Sequence, residues 1–308
     1  MSVMLQLSLA FFTILVTFAT GLGQADARRY AVALAPTPVL NTSHFRTVFG
    51  GKHGTVLKTD SCGQIREVEF VALPGTPFTI EQELHEGGLS FYRISTDDYP
   101  YPTSRGYFVD SRFVRIVHER PAERPKSLPA REEIIARLRR AVGTPYVWGG
   151  NWRAGIPELL TMYAPATGAI LSDEDLRRWQ LAGLDCSGLL YEATNGFTPR
   201  NTVGLISYGK EIRIAGMDAK AIVRRLAPLD LIAWKGHVLI VLDRGEVIES
   251  RLECGHKTGG VVISDLQERV SEIMLRRHPA NMTGSRSSQQ REEFVVRRWY
   301  GVEITKGP

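Results

Sequence analysis

The sequence Asp185-Cys186-Ser187-Gly188-Leu189 opens a segment whose composition predicts a helix, with Asp185 as its N-cap. A cysteine attacks as its thiolate, and the free N–H groups and dipole of a first helical turn would lower the pKa of Cys186. The same N–H groups would stabilise an oxyanion, and Gly188 keeps the turn slim. A lone cysteine is more commonly a buried structural residue. The local pattern alone therefore favours a reactive thiol and a structural cysteine equally.

His237 stands at the start of an apolar run, 238–242, that predicts a strand with the imidazole at the end of a sheet. Cysteine–histidine catalysis requires the two side chains to meet in space, wherever they lie in sequence. Glu249 follows twelve residues later, after a predicted hairpin turn, so it would lie beside His237 and orient the imidazole. The alternatives are a histidine at the edge of the core and a solvated glutamate.

The surrounding pattern predicts an α+β domain. A helix follows Pro129, places Ile134 and Leu138 on one apolar face and ends at Gly143. A long stretch, 151–184, then carries its own short helical pattern, and we interpret it as an insertion over or beside the site. Helices followed by consecutive strands indicate an antiparallel sheet. The predicted strands of this sheet are 229–234, 238–242, 247–250, 261–264 and 273–276.

Residues 28–120 are predicted to form an all-β module, a small barrel, because short β-rich runs alternate with Gly, Pro and Asp clusters. Tyr99 and Tyr101 lie in a loop that would expose both rings; packing at the rim of the barrel is the alternative. The segment 118–129 contains three prolines and reads as a linker. The predicted strands are 46–49, 54–57, 65–72, 78–82, 89–95, 106–109 and 113–117.

The N-terminus has the pattern of a secretory signal peptide. An apolar run over 4–20 precedes Ala25-Asp26-Ala27, a small-x-small cleavage pattern, which predicts removal of residues 1–27. The alternative is an uncleaved membrane anchor. With cleavage, we expect an exported protein, periplasmic or secreted and associated with the cell wall, without a stable membrane span.

The net charge and the cysteine count exclude few classes of partner or site. A net charge of +5 would suit an anionic partner such as a cell-wall polymer, a membrane surface or nucleic acid, but no Lys/Arg run is dense enough to choose among them. We expect no nucleic-acid partner. Three cysteines leave at least one thiol unpaired, and whether Cys62 and Cys254 pair is open. Cys254 and His256 lack metal-ligand partners at useful spacing, so no zinc site is expected.

Four motifs, taken together, resemble the NlpC family of bacterial cell-wall cysteine peptidases, a branch of the papain-like fold. The resemblance covers 130–280. The motifs are PYVWGG at 145–150, DCSGL at 185–189, PRNT at 199–202, and PLDLIAW followed by GHV at 228–238.

The resemblance implies a cysteine peptidase that acts on peptidoglycan peptides without a cofactor. Cys186 would be the nucleophile, and His237 the general base and then the acid. Glu249 falls at the third polar position, and Tyr146 would help the oxyanion hole through its hydroxyl. The third position is more usually His, Asn, Gln or Asp, so the longer Glu249 departs from the family pattern.

The resemblance also implies a substrate. Family members that cut the γ-D-glutamyl–diamino acid bond, as in diaminopimelate-containing stem peptides, hold a free L-alanine amine with the residues that match Asp185 and Ser187. In such members an aromatic residue of an SH3-like domain closes the pocket; Tyr99 or Tyr101 would serve, and no motif fixes which. The alternatives are a D-Ala–diaminopimelate endopeptidase, an N-acetylmuramoyl-L-alanine amidase, or a non-catalytic wall-binding protein.

The expected organisation has five parts. A signal peptide (1–27) precedes an SH3-like barrel domain (28–120) and a linker (121–129). An NlpC-type peptidase domain (130–280), in which helices pack on an antiparallel sheet, is followed by a C-terminal extension (281–308) without an assigned role. The insertion and the extension are the parts that the resemblance does not explain.

Overall fold

A computed structural model describes residues 29–51, 56–163, 171–255, 259–282 and 292–302. The predicted signal peptide and His256 lie outside these ranges. Within them, no helix combines the length and the apolar character needed to cross a membrane.

The N-terminal half is built on one antiparallel sheet of seven strands. Its elements are β1 (Arg29–Ala33), β2 (Thr37–Leu40), α1 (Phe45–Val48), β3 (Val68–Ala72), β4 (Pro77–Glu86), β5 (Leu89–Ser95), β6 (Tyr107–Asp110) and β7 (Val114–Val117). The strand order is β3-β2-β6-β5-β4-β1-β7. The sheet packs on an aromatic core in which Phe45 stacks on Phe91, with ring centroids 5.0 Å apart.

Two local features of this half differ from the sequence prediction. The predicted strand 46–49 is the helix α1, because Phe45, Val48 and Phe49 recur at helical spacing and are all buried. The strands β1 and β2 were not predicted; β2 contains Pro38, which is atypical of strand interiors. Of the predicted strand 54–57, residues 54 and 55 lie outside the described residues, and residues 56 and 57 form no strand.

The C-terminal half surrounds a second sheet. Its elements are α2 (Arg131–Arg140), β8 (Asn151–Trp152), α3 (Glu158–Tyr163), α4 (Asp173–Trp179), β9 (Gly183–Leu184), α5 (Cys186–Ala193), α6 (Thr202–Leu205), β10 (Lys210–Ile212), α7 (Ala219–Val223), β11 (Leu231–Trp234), β12 (His237–Val241), β13 (Glu246–Arg251), β14 (Gly260–Asp265), α8 (Leu266–Arg276), β15 (His278–Pro279) and β16 (Glu293–Arg298). The strand order is β10-β16-β11-β12-β13-β14, and β15 pairs with β16.

Helices cover both faces of this second sheet. In β12, Val238 and Ile240 pack with α2 and α5, whereas Leu239 and Val241 pack with α7 and α8. Successive side chains of a strand point to opposite faces, so a strand buried on both faces reads as a continuous apolar run. The antiparallel pairing of β11 through β14 agrees with the predicted α+β class.

Two segments near the C-terminus differ from prediction. Residues 273–276, predicted as a strand, end the helix α8, in which Leu266, Val270 and Ile273 form one buried face. The segment 281–308, predicted as an extension, contributes β16 to the interior of the sheet between β10 and β11. This strand pairs with residues far away in sequence, so no local pattern reveals its place.

The two halves are joined by a disulfide, by packing and by an ion pair. Cys62 and Cys254 form the disulfide, with Cα atoms 4.9 Å apart. The insertion helices α3 and α4 place Tyr163 and Trp179 in the core of the N-terminal sheet. Arg124, in the predicted linker, pairs with Asp98 and also donates to the backbone at the C-terminal end of α5.

Candidate active site

Cys186 occupies the first position of α5, where a capped helix end meets the start of β12. The Asp185 side chain accepts a hydrogen bond of 2.7 Å from the Gly188 N–H, as an N-cap does. The Cys186 sulfur contacts the Gly236 carbonyl oxygen at 3.8 Å and accepts from the Val238 N–H. The thiol, only 6% exposed, therefore lies against the backbone on both sides of His237.

His237 and Glu249 are paired across the β12–β13 hairpin, as the spacing predicts. The Nε2 atom of His237 lies 2.6 Å from an Oε2 atom of Glu249. The ring also packs on Trp234, with centroids 5.1 Å apart. With Nε2 donating to the carboxylate, Nδ1 is the imidazole nitrogen that can accept a proton.

Arg269 is a member of this cluster that the sequence prediction missed. Its Nε lies 2.7 Å from Oε1 of Glu249, and its Nη2 lies 3.1 Å from Oε2. Burial alone would raise the pKa of Glu249, but hydrogen bonds and charge from His237 and Arg269 lower it to about 2. Arg269 was missed because α8 was predicted in part as a strand; the helical spacing of Leu266, Val270 and Ile273 was the available signal.

The protonation of Cys186 differs from the prediction. Burial, followed by the nearby charge of Asp185, raises the pKa of the thiol to about 12, whereas Arg200 and the N–H groups of Ser187 and Val238 lower it. The helix terminus therefore does not outweigh desolvation here. At neutral pH the group is therefore a protonated thiol.

Asp185 and Ser187, predicted to bind an amine, lie together around a buried arginine. Arg200 donates to Asp185 through Nη1 at 3.0 Å and Nη2 at 2.6 Å, and to the Ser187 hydroxyl at 2.9 Å. Its Nε donates to the Asn151 side chain at 2.8 Å. The sequence contains Arg200 in the PRNT motif, but no spacing argument indicates that it faces Asp185.

Tyr146 lies beside this group and is mostly buried. Burial, and then the charges of Asp185 and Cys186, raise the pKa of Tyr146 above its ordinary value. The hydroxyl is therefore protonated at neutral pH and available as a donor, which an oxyanion requires.

The two tyrosines of the N-terminal loop do not both extend into solvent. Tyr99 is only 6% exposed and stacks on Phe70 with centroids 4.3 Å apart, so the expectation of two exposed rings is wrong for Tyr99. The Tyr99 hydroxyl accepts a 3.5 Å hydrogen bond from the Asn201 side chain, and Tyr101 accepts from the Asn201 N–H. Both rings thus contact the segment that carries Arg200.

A cavity of about 540 Å³ opens next to Tyr146. It lies between the insertion helix α4 and the loops that the disulfide joins. Its wall combines apolar, polar and charged side chains, among them Gln64, Val147, Arg177, Arg178 and Leu252. The insertion therefore borders a cavity that reaches Tyr146, whereas Cys186 and His237 are not among the residues that line it.

No family model matches this chain, and no curated protein matches it. Solved structures show weak similarity. An NlpC/P60 family protein from Bacillus cereus is 17% identical, covering 89% of this chain and 64% of its own, at a TM-score of 0.32. This chain thus spans less than two thirds of the Bacillus cereus protein.

Two further structures are similar over different extents. RipD from Mycobacterium tuberculosis, described as a non-catalytic NlpC/p60 domain protein adapted to peptidoglycan binding, is 20% identical over 44% of this chain and 86% of its own, with a TM-score of 0.28. NlpC1 from Trichomonas vaginalis is 14% identical over 90% and 69%, with a TM-score of 0.29. All three descriptions carry the name of the family that the motifs resemble.

Proposed function

We propose that the protein is a cysteine peptidase that hydrolyses peptidoglycan stem peptides, with Cys186 as the nucleophile and His237 as the base. The observation that carries this proposal is the His237–Glu249 hydrogen bond, placed where the Cys186 thiol lies against the backbone flanking His237. A purely structural cysteine would not need an oriented imidazole beside it.

The proposed reaction proceeds through a thioester. Nδ1 of His237 takes the thiol proton as the Cys186 sulfur attacks the amide carbon, and the Cys186 N–H and Tyr146 hydroxyl donate to the oxyanion. The imidazolium, oriented by its hydrogen bond to Glu249, gives its proton to the leaving amine as the C–N bond breaks. His237 then deprotonates a water that attacks the thioester, which releases the acid and restores the thiol.

The proposed scissile bond is γ-D-Glu–diaminopimelate in a peptide with a free N-terminal L-Ala. After the bonds from Arg200, an Asp185 oxygen and the Ser187 hydroxyl each retain an acceptor position for an ammonium group. The Arg200 charge weakens such binding. It therefore favours, as second candidates, cleavage of the D-Ala–diaminopimelate cross-link or the N-acetylmuramoyl–L-Ala amide, neither of which requires a free amine.

Export and domain organisation complete the proposal. The Cys62–Cys254 disulfide suits an oxidising compartment, in agreement with a signal peptide at 1–27 and a periplasmic, secreted or wall-associated protein. The N-terminal sheet would serve as the SH3-like domain, with Tyr99 and Tyr101 contributing to the pocket through the Asn201 segment.

Incubation of the full chain with L-Ala-γ-D-Glu-meso-diaminopimelate, followed by mass spectrometry, tests the proposal. We expect release of L-Ala-D-Glu by the wild type and none by Cys186→Ala. His85→Ala, which changes an exposed histidine of β4, is the matched control for His237→Ala. Binding of the peptide without cleavage by the wild type would leave a wall-binding protein as the better interpretation, and equal release from Cys186→Ala would rule out Cys186 as the nucleophile.

The second candidates need different substrates in the same assay. The N-acetylated tripeptide, a D-Ala–diaminopimelate cross-linked dimer and N-acetylmuramoyl-L-Ala-D-Glu present the three bonds without a free amine next to L-Ala. Cleavage of one of these in preference to the free tripeptide would reassign the scissile bond.

A further inference from the structure

Glu249 is shared between the proposed base and a cation on the opposite side. The carboxylate is 1% exposed and receives His237 through Oε2, whereas Arg269 approaches both oxygens. A two-pronged contact of this kind fixes the plane of the carboxylate as well as its charge. The longer side chain of Glu249, relative to the residues usual at this position, is therefore held by α8 and not by β13 alone.

The acidic and basic side chains near His237 nearly cancel one another in charge. On α8, Arg269 also pairs with Glu272 at 2.9 Å; on β13, Arg251 lies 3.9 Å from Glu249 and pairs with Glu253 at 2.7 Å. The charged and titratable groups of the elements packed around the cluster are Cys186 on α5 and its N-cap Asp185, Glu249 and Arg251 on β13, Arg269 and Glu272 on α8, and Arg277 after α8, which lies over the Trp234 ring that packs on His237.

We propose that Arg269 is a positioning residue that makes the third position of the site an overall neutral acceptor for His237. A lone buried carboxylate bonded to an imidazole stabilises the imidazolium and keeps the base protonated. Glu249 paired with Arg269 instead presents an oxygen without net charge, as an amide side chain would. The imidazole then stays oriented by a strong acceptor while remaining able to take the Cys186 proton.

A purely structural role for Arg269 predicts a different behaviour. In that case Arg269 only satisfies a buried carboxylate, and its removal lowers stability without changing how His237 titrates. The titration of His237 separates the two roles. It also separates this inference from the proposed peptidase activity, on which its catalytic meaning rests, since a titration requires no turnover.

The test follows the imidazole C–H resonances of the full chain by NMR as pH is varied, with the His237 signal assigned by its loss in His237→Gln. In Arg269→Met we expect the titration midpoint of His237 to rise by about one pH unit, since a cation near the ring is lost while Arg251 compensates in part. Arg269→Lys keeps the charge and should remain near the wild-type midpoint. Arg276→Met, on the exposed end of the same helix, is the matched control.

A double variant, Glu249→Gln with Arg269→Met, completes the design. It replaces the ion pair by a neutral amide and should return the midpoint to within a few tenths of a unit of the wild type. It also keeps the proposal testable if Arg269→Met alone does not fold. If the peptide is cleaved, the limb of the kcat/KM profile that reports His237 should move to higher pH in Arg269→Met. An unchanged midpoint in Arg269→Met, or a double variant as shifted as the single one, would overturn the proposal.

Discussion

Two carboxylate–arginine pairs flank Cys186 and His237, and both are bidentate: Arg200 binds Asp185 end-on through Nη1 and Nη2, whereas Arg269 binds Glu249 side-on through Nε and Nη2. Arg200 donates hydrogen bonds of 3.0 and 2.6 Å to Asp185, and Arg269 donates hydrogen bonds of 2.7 and 3.1 Å to Glu249. The Arg200 side chain is 2% exposed and the Arg269 side chain 20%.

The pairs differ in their third partner. Asp185 also accepts from the Gly188 N–H and the Ser187 hydroxyl, groups that keep their protons at any physiological pH. Glu249 instead accepts from His237, which changes charge in that range. A buried ion pair thus acts on structure or on proton transfer according to which other groups its carboxylate binds.

The largest expected effect is the loss of Arg200. Arg200→Met leaves Asp185 buried without its cation, which costs about 3 to 5 kcal/mol of unfolding free energy. Arg269→Met should cost less, because its site is more exposed and Arg251 remains near Glu249. Urea denaturation of both variants at neutral pH makes the measurement. If Arg269→Met proved as costly as Arg200→Met, the two pairs would not differ in structural weight.

The next effect concerns the connection from Arg200 to the N-terminal sheet. The Asn151 side chain donates to the Val71 carbonyl at 2.8 Å, accepts from the Val71 N–H at 2.9 Å and accepts from Arg200. Asn151→Ala leaves these buried groups without partners and should cost about 3 kcal/mol. Asn151→Asp keeps the two acceptor contacts and should lose less. Equal losses in urea denaturation would mean that the contacts from Val71 and Arg200 to this side chain contribute little.

The positions of Cys186, His237 and Glu249 could be predicted from the sequence, whereas those of the two arginines could not. The motif around Cys186 and the hairpin spacing from His237 to Glu249 placed three residues that the structure brings together. Those inferences worked because a helix start and a hairpin register are local properties. The fold class was also accessible, since helices and then strands follow each other along the chain.

The carboxylate partners of the two arginines and the position of β16 inside the sheet could not be predicted from local sequence. Arg200 and Arg269 meet their carboxylates through tertiary packing, and many arginines of the chain have equivalent local patterns. The strand β16 pairs with β11, about sixty residues earlier, across segments that carry no common signal. The raised pKa of Cys186 depends on burial, which a helix N-cap motif does not report.

The dependence of protein stability on acidic pH tests the Glu249–Arg269 pair. The pKa of Glu249 is lowered to about 2 from an ordinary 4.5, so its stabilising contribution is complete above pH 4.5 and lost as pH falls through 2. Between these values the wild type should lose on the order of 2 kcal/mol more stability than Glu249→Gln. Urea denaturation at pH steps from 5 to 2 measures this, with Glu246→Gln on the same strand as the control. Parallel curves for wild type and Glu249→Gln would contradict it.

The smallest expected effect distinguishes a structural role of Ser187, next to Asp185, from a role in binding the substrate amine. The Ser187 hydroxyl accepts from Arg200 at 2.9 Å and donates to Asp185 at 3.1 Å, so Ser187→Ala should cost about 1 kcal/mol of stability. If this hydroxyl also meets the substrate amine, the variant raises KM for the free tripeptide a few-fold and leaves kcat nearly unchanged. The N-acetylated tripeptide is the control, since it presents no ammonium. An unchanged KM would show that Ser187 serves only Arg200, and the Asp185 pair would then be structural throughout.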